Sequence, residues 1–111
     1  MSISYTDKGE LRTINLSGRM DVGGREMASQ LVDLTQAKKN VIVNLVALTM
    51  LASIGIRALV ISAKQVAAKG GTLVLVADSA SSVMKSLKVA GVDQLVAVYA
   101  NVTDADNAAS V

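Results

Sequence analysis

One stretch of the chain joins reactive residue types to a position that suits them: Leu51-Ala52-Ser53-Ile54-Gly55-Ile56-Arg57. Ser53 offers a hydroxyl, and Arg57 offers a guanidinium one helical turn further on. Four roles are open to this serine. As a helix N-cap its oxygen accepts from free backbone N–H groups, worth about 1 kcal/mol. As a nucleophile it needs a base, and the chain has no His and no Cys. A nucleophile elbow also wants Gly two residues earlier, where Leu51 stands. A Ser–Lys pair would need one of seven lysines, and spacing singles out none of them. As part of a phosphate loop it needs GxxxxGK[ST], and that run is absent; Gly23-Gly24 and Gly70-Gly71 read as turns. As a phosphoacceptor it needs only exposure. Phosphate adds about −1.5 to −2 charges at pH 7. Helix N–H groups and Arg57 accommodate that charge within the domain. An apolar or acidic surface docked there would not, and Ile54 on the same turn offers such a surface apolar contact.

The elements around this stretch explain its place. A strand at 3–5, a turn at Asp7-Lys8-Gly9-Glu10 and an alternating strand at 11–17 make a hairpin. Residues 18–24 form a loop, with Asp21 placed to cap a helix over 22–37 that buries Met27, Leu31 and Leu34. A β-branched strand at 41–45 precedes a helix over 53–69. That helix is expected to bury Ile56, Leu59, Val60, Ala63 and Val66 or Ala67, and to end at Gly70-Gly71. A strand at 72–77 leads to a helix capped by Asp78 or Ser79 that runs to Ala90 and closes at Gly91. A last strand at 95–99 and a short helix capped by Thr103 finish the chain, with an Ala-rich tail at 105–111 expected to fray. The order ββαβαβαβα predicts an α/β fold, a mixed β-sheet covered by about four helices. Ser53 then lies at a carboxyl strand end, where functional groups of such sheets collect.

Composition removes whole classes of function. A chain of 111 residues, 51% hydrophobic and 18% charged, is one domain and not a disordered segment. Eleven basic against nine acidic residues leave a charge of only +2. Lys38-Lys39 is the one adjacent basic pair, and the aromatics are Tyr5 and Tyr99 alone. That is neither a basic footprint nor a stacking platform, so no nucleic-acid partner is expected. Without His or Cys, nearly every zinc site and all disulfides are excluded, and no metal or cofactor is expected. The uncharged run at 40–56 is too short and too polar to span a membrane. The N-terminus lacks a signal-peptide pattern, which favours a cytoplasmic protein.

Four pieces, in order and well spaced, resemble the STAS domain of bacterial anti-sigma-factor antagonists. Leu16-Ser17-Gly18-Arg19-Met20-Asp21 is similar to the family's L-x-G-x-L-D segment. Residues 43–55 are similar to its v-x-l-x-x-v-x-f-i-D-S-S-G signature. Gly70-Gly71-Thr72-Leu73-Val74-Leu75 and residues 83–99 are similar to its later strand and closing stretch. The resemblance implies a STAS-like sheet and a non-enzymatic, phosphorylation-switched binding module. Its implied partners are an anti-sigma factor that is also a GHKL-type serine kinase, and a metal-dependent PP2C-type serine phosphatase. The unphosphorylated form would bind the kinase and release its sigma factor, and phosphorylation would disable it. The phosphoacceptor maps to Ser53 and the L-D aspartate to Asp21. The docking surface is expected around Asp21, Gly23, Met50, Ser53, Ile54 and Arg57. Three positions depart from the pattern: Ala52 for the Asp, Ile54 for a second serine, and Arg57 for a glycine. The other implied role is an unphosphorylated regulatory subunit of a lipid or solute transport complex, in which Ser53 is only a cap.

Overall fold

The computed structural model describes residues 2–20 and 25–109. Strands β1 (Ser2–Lys8) and β2 (Leu11–Met20) pair antiparallel across a two-residue turn. Gly9 takes a φ of 61° there, which a side chain would resist. Strands β3 (Asn40–Leu51), β4 (Thr72–Val76) and β5 (Val98–Tyr99) then add in parallel. The sheet order is β1-β2-β3-β4-β5. The helices are α1 (Arg25–Gln36), α2 (Ser53–Ala68), α3 (Ser82–Val89), the single turn α4 (Val92–Leu95) and α5 (Val102–Ala109).

The alternation read in the sequence decides which side is covered. Ile14 and Leu16 of β2, with Val41, Val43 and Leu45 of β3, point under α1, α2 and α3. Burying each such side chain contributes about 1.5–3 kcal/mol. The opposite face carries a smaller cluster: Leu11, Ile42, Val74 and Val76 beneath Ala105 and Ala109 of α5. Residues 105–109, expected to fray, are therefore helical, and two of their alanines are buried.

Several expected boundaries move, each for a local reason. Strand β3 runs to Leu51 and not to 45, because it stays paired with β2 through two register shifts. Strand β2 correspondingly reaches Met20. The last strand is only Val98–Tyr99, since Gly91 at φ 76° starts the extra turn α4. Helix α3 is capped by Ser81, whose oxygen accepts from Met84 N–H at 3.1 Å; neither Asp78 nor Ser79 is the cap. At α5 the capping oxygen is Asn101 Oδ1, 2.9 Å from Asp104 N, in place of Thr103. Helix α2 is turned relative to its expected face. Gly55, Ala58, Leu59, Ser62 and Val66 are its buried residues, while Ile56, Val60 and Ala63 flank them half-covered.

Helix α2 ends as expected. Gly70 has a φ of 77°, Gly70 N–H donates to Ala67 O at 3.0 Å, and Gly71 N–H donates to Val66 O at 2.9 Å. This is a complete Schellman end. A Cβ on Gly71 would lie 1.8 Å from Lys39 O, so the chain passes the start of β3 at a distance only glycine allows.

Candidate functional site

The two register shifts in β3 build the platform for Ser53. Between Asn15 and Ser17, and again between Gly18 and Arg19, β3 advances one residue more than β2. Bulges of this kind re-aim a strand end. Side chains occupy the broken ladder: Asn44 Oδ1 accepts from Val46 N–H at 3.1 Å, and Thr49 Oγ1 donates to Gly18 O at 3.1 Å. Ala52 N–H then donates to Met20 O at 2.8 Å and pins the junction of β3 and α2 to the end of β2. Gly55 seats the helix on that end. A Cβ there would come within 2.6 Å of both Leu51 Cδ1 and Met20 Sδ.

Ser53 is the first residue of α2, and the N-cap is Ala52. Ala52 has the extended backbone of a capping residue, φ −84° and ψ 172°, but makes no side-chain cap. The reading of Ser53 as a cap is therefore corrected. Its side chain is exposed, and its hydroxyl has no hydrogen-bond partner among the described residues. Gly55 and Ile56 N–H both donate to Ala52 O, at 3.0 and 3.1 Å. The N–H groups of Ser53 and Ile54 have no protein acceptor among the described residues, as an uncapped helix start leaves them.

The surroundings of Ser53 are basic and apolar. Arg57 is exposed one turn along, and half-buried Ile54 lies with it and with Arg25 of α1 along the groove between the two helices. Met50 is half-buried, with Arg19 Nη2 3.1 Å from its sulfur. Ser82 Oγ donates to Thr49 O at 3.4 Å, which brings the start of α3 alongside. The structure thus brings Ile54 and Arg57 together along the groove that starts beside Ser53, and sets Met50 against Arg19 at the end of β3. Asp21 and Gly23 lie outside the described residues. Arg19 and Arg25 were not singled out in the sequence. Arg19 is recognisable only once the β2–β3 register pairs it with Met50, and Arg25 only once α1 packs beside α2.

No carboxylate or lysine is hydrogen-bonded to Ser53 among the described residues. No group of three or more potential metal-ligating side chains occurs among them, and no helix is long and apolar enough to cross a membrane. The charges with resolved shifts lie at the far end of the helices. Hydrogen bonds from Arg12 hold the Asp7 carboxyl below its ordinary range, and Asp7 in turn raises Arg12.

A family model described as the STAS domain matches residues 2–105. No curated protein matches the chain in sequence. Among solved structures, an anti-sigma factor antagonist from Mycobacterium paratuberculosis is 19% identical, with a TM-score of 0.87 over 99% of this chain and 94% of that one. The Bacillus cell fate determinant SpoIIAA in its phosphorylated form is 18% identical, with a TM-score of 0.71 over 96% and 99%. The anti-sigma factor antagonist SpoIIAA in its unphosphorylated form is 19% identical, with a TM-score of 0.62 over 78% and 80%. At these identities the likeness is one of fold.

Proposed function

The chain belongs to the STAS-domain family, and on that premise we propose that it is a non-enzymatic anti-sigma-factor antagonist switched by phosphorylation of Ser53. Unphosphorylated, it binds an anti-sigma factor that is also a GHKL-type serine kinase and so frees the sigma factor. The kinase phosphorylates Ser53 and ends the complex. A metal-dependent PP2C-type phosphatase restores the hydroxyl. All of this takes place in the cytoplasm.

The observation that carries the reading is an exposed hydroxyl with no hydrogen-bond partner among the described residues. Ser53 is exposed at the first position of α2, is not the cap, and stands beside Ile54 and Arg57. A phosphate there would find the Ser53 and Ile54 N–H groups, which have no acceptor among the described residues, and Arg57 within its own domain. The helix need not unfold to carry it. The partner docked over Met50, Ile54 and Arg57 meets the cost, because its facing surface must now desolvate about two negative charges.

The test is phosphopeptide mapping after incubation with the switch kinase and ATP, followed by calorimetry of kinase binding. Phosphate is expected on Ser53 alone. Ser53→Ala should bind the kinase like the parent, and protein phosphorylated at Ser53 should bind at least tenfold more weakly. Phosphate elsewhere with Ser53 unmodified sinks the site. Equal binding by the phosphorylated form sinks the mechanism.

A further inference from the structure

The groove between α1 and α2 has a volume of about 540 Å³ and is not consumed by the reading above, which uses only its rim near Ser53. Its charge follows an order. Arg25, Ser29 and Asp33 line it from α1, at spacings of four residues, so they form one stripe on one helix face. At 1.5 Å per residue the basic and acidic ends of that stripe lie about 12 Å apart. From α2, Arg57 strengthens the basic end, and Ile54 and Ile61 supply an apolar wall. Ile61 remains 40% exposed and so adds apolar surface to the groove. Neither Arg25, Asp33 nor Arg57 forms an ion pair among the described residues; the ion pairs there are Lys8–Asp106 and Arg12–Asp7.

We infer that this groove is the interface of a two-fold homodimer. A stripe that reads positive, small, negative is its own complement after a half-turn. With the axis passing near Ser29, Arg25 of one copy faces Asp33 of the other, and Asp33 faces Arg25. Isologous contacts have this reciprocity by necessity. Ala28, Ser29 and Ala58 floor the centre with small side chains, so the second α1 can settle into the groove, and the Ile61 side chains lose their water. A different protein could match the groove only by carrying the same charge order itself, whereas a second copy carries it already. The interface is small, so the dimer is transient and concentration-dependent. The inference is independent of phosphorylation and stands or falls without it.

The test is sedimentation equilibrium of the full chain from about 10 µM to about 1 mM, a range that brackets weak interfaces. The apparent mass should rise from the 11.5 kDa protomer toward twice that value. Arg25→Asp alone and Asp33→Arg alone should each stay monomeric, with association weakened at least tenfold by facing like charges. Mixed in equal amounts, these two variants should associate with each other, because both ion pairs of the two-fold arrangement are then rebuilt. The double variant should dimerise by itself. Both positions are exposed, and circular dichroism verifies that each variant folds. Ile61→Lys probes the same face through its apolar wall and should also be monomeric. A parent that stays monomeric throughout leaves the groove to another protein and overturns the inference. So does a dimer indifferent to the single reversals, or a mixture that fails to associate.

Discussion

The paired helices α1 and α2 treat polar groups differently at their two ends. At the end where both helices finish, polar atoms have partners. Arg12 is only 7% exposed; its Nε and Nη2 donate to the two Asp7 oxygens at 2.7 and 2.9 Å, and its Nη1 donates to Leu34 O at 3.1 Å. Its guanidinium also lies 4.0 Å from the Tyr5 ring centre. Lys69 Nζ donates to the carbonyls of Thr35, Gln36 and Lys38, at 3.3, 2.6 and 2.8 Å, and so closes the end of α1. At the end where the helices begin, Ala52 stands where a capping side chain belongs, and Ser53, Ile54 and Arg57 offer donors with no acceptor among the described residues. The contrast separates two uses of polar chemistry. One end is spent on holding the hairpin and helices together, and at the other the donors stand without acceptors among the described residues.

Substitutions at the two ends should therefore behave differently. The largest effect is expected at the satisfied end. Gly71→Ala drives a methyl group into Lys39 O and should destabilise by more than about 3 kcal/mol, read as a fall in Tm or as loss of folded protein. Arg12→Ala should cost about 2 kcal/mol in urea denaturation, because it removes packing against Tyr5 and leaves Leu34 O without its donor. Acid probes the same clamp. The Asp7 carboxyl is held below its ordinary value by hydrogen bonds from Arg12, so its contribution is complete above about pH 4. It is lost as pH falls through the depressed folded value. Asp7→Asn should flatten that part of the stability–pH curve.

At the open end the signs change. Ala52→Asp restores a capping carboxylate and should stabilise by about 1 kcal/mol. A measured loss instead would mean that the free N–H groups already have a partner. Ser53→Ala should leave stability within about 0.5 kcal/mol of the parent, since no contact among the described residues is removed. A larger loss would end the contrast between the two ends.

Much of this was legible in the sequence because it is local. The alternation at 11–17 gives the buried face of β2, Gly70-Gly71 gives the end of α2, and Ser53 after an aliphatic strand gives the helix start. What was not legible depends on phase or distance. The bulges shift the period of β3, so its run to Leu51 carries no clean alternation. The buried stripe of α2 relies on Gly55, Ala58 and Ser62, whose small size suits close approach but adds nothing to a hydrophobic pattern. Ala52 looked like a missing aspartate, and only the backbone reveals the N-cap position it occupies. Arg12 and Lys69 act on carbonyls 22 and 31–34 residues away, beyond any local motif.

The sheet order β1-β2-β3-β4-β5 repeats the order of the chain. Each strand docks on the one made just before it, so no pairing waits for a distant partner, and the search for contacts stays short. During synthesis the sheet can grow one strand at a time. The platform for Ser53 needs only β2, β3 and the first turns of α2, and it is complete before β4 exists. Helix α5 follows the last strand and covers Ile42, Val74 and Val76. Until Ala105 and Ala109 settle, those side chains face water, and a chain caught at that stage of folding is exposed to aggregation.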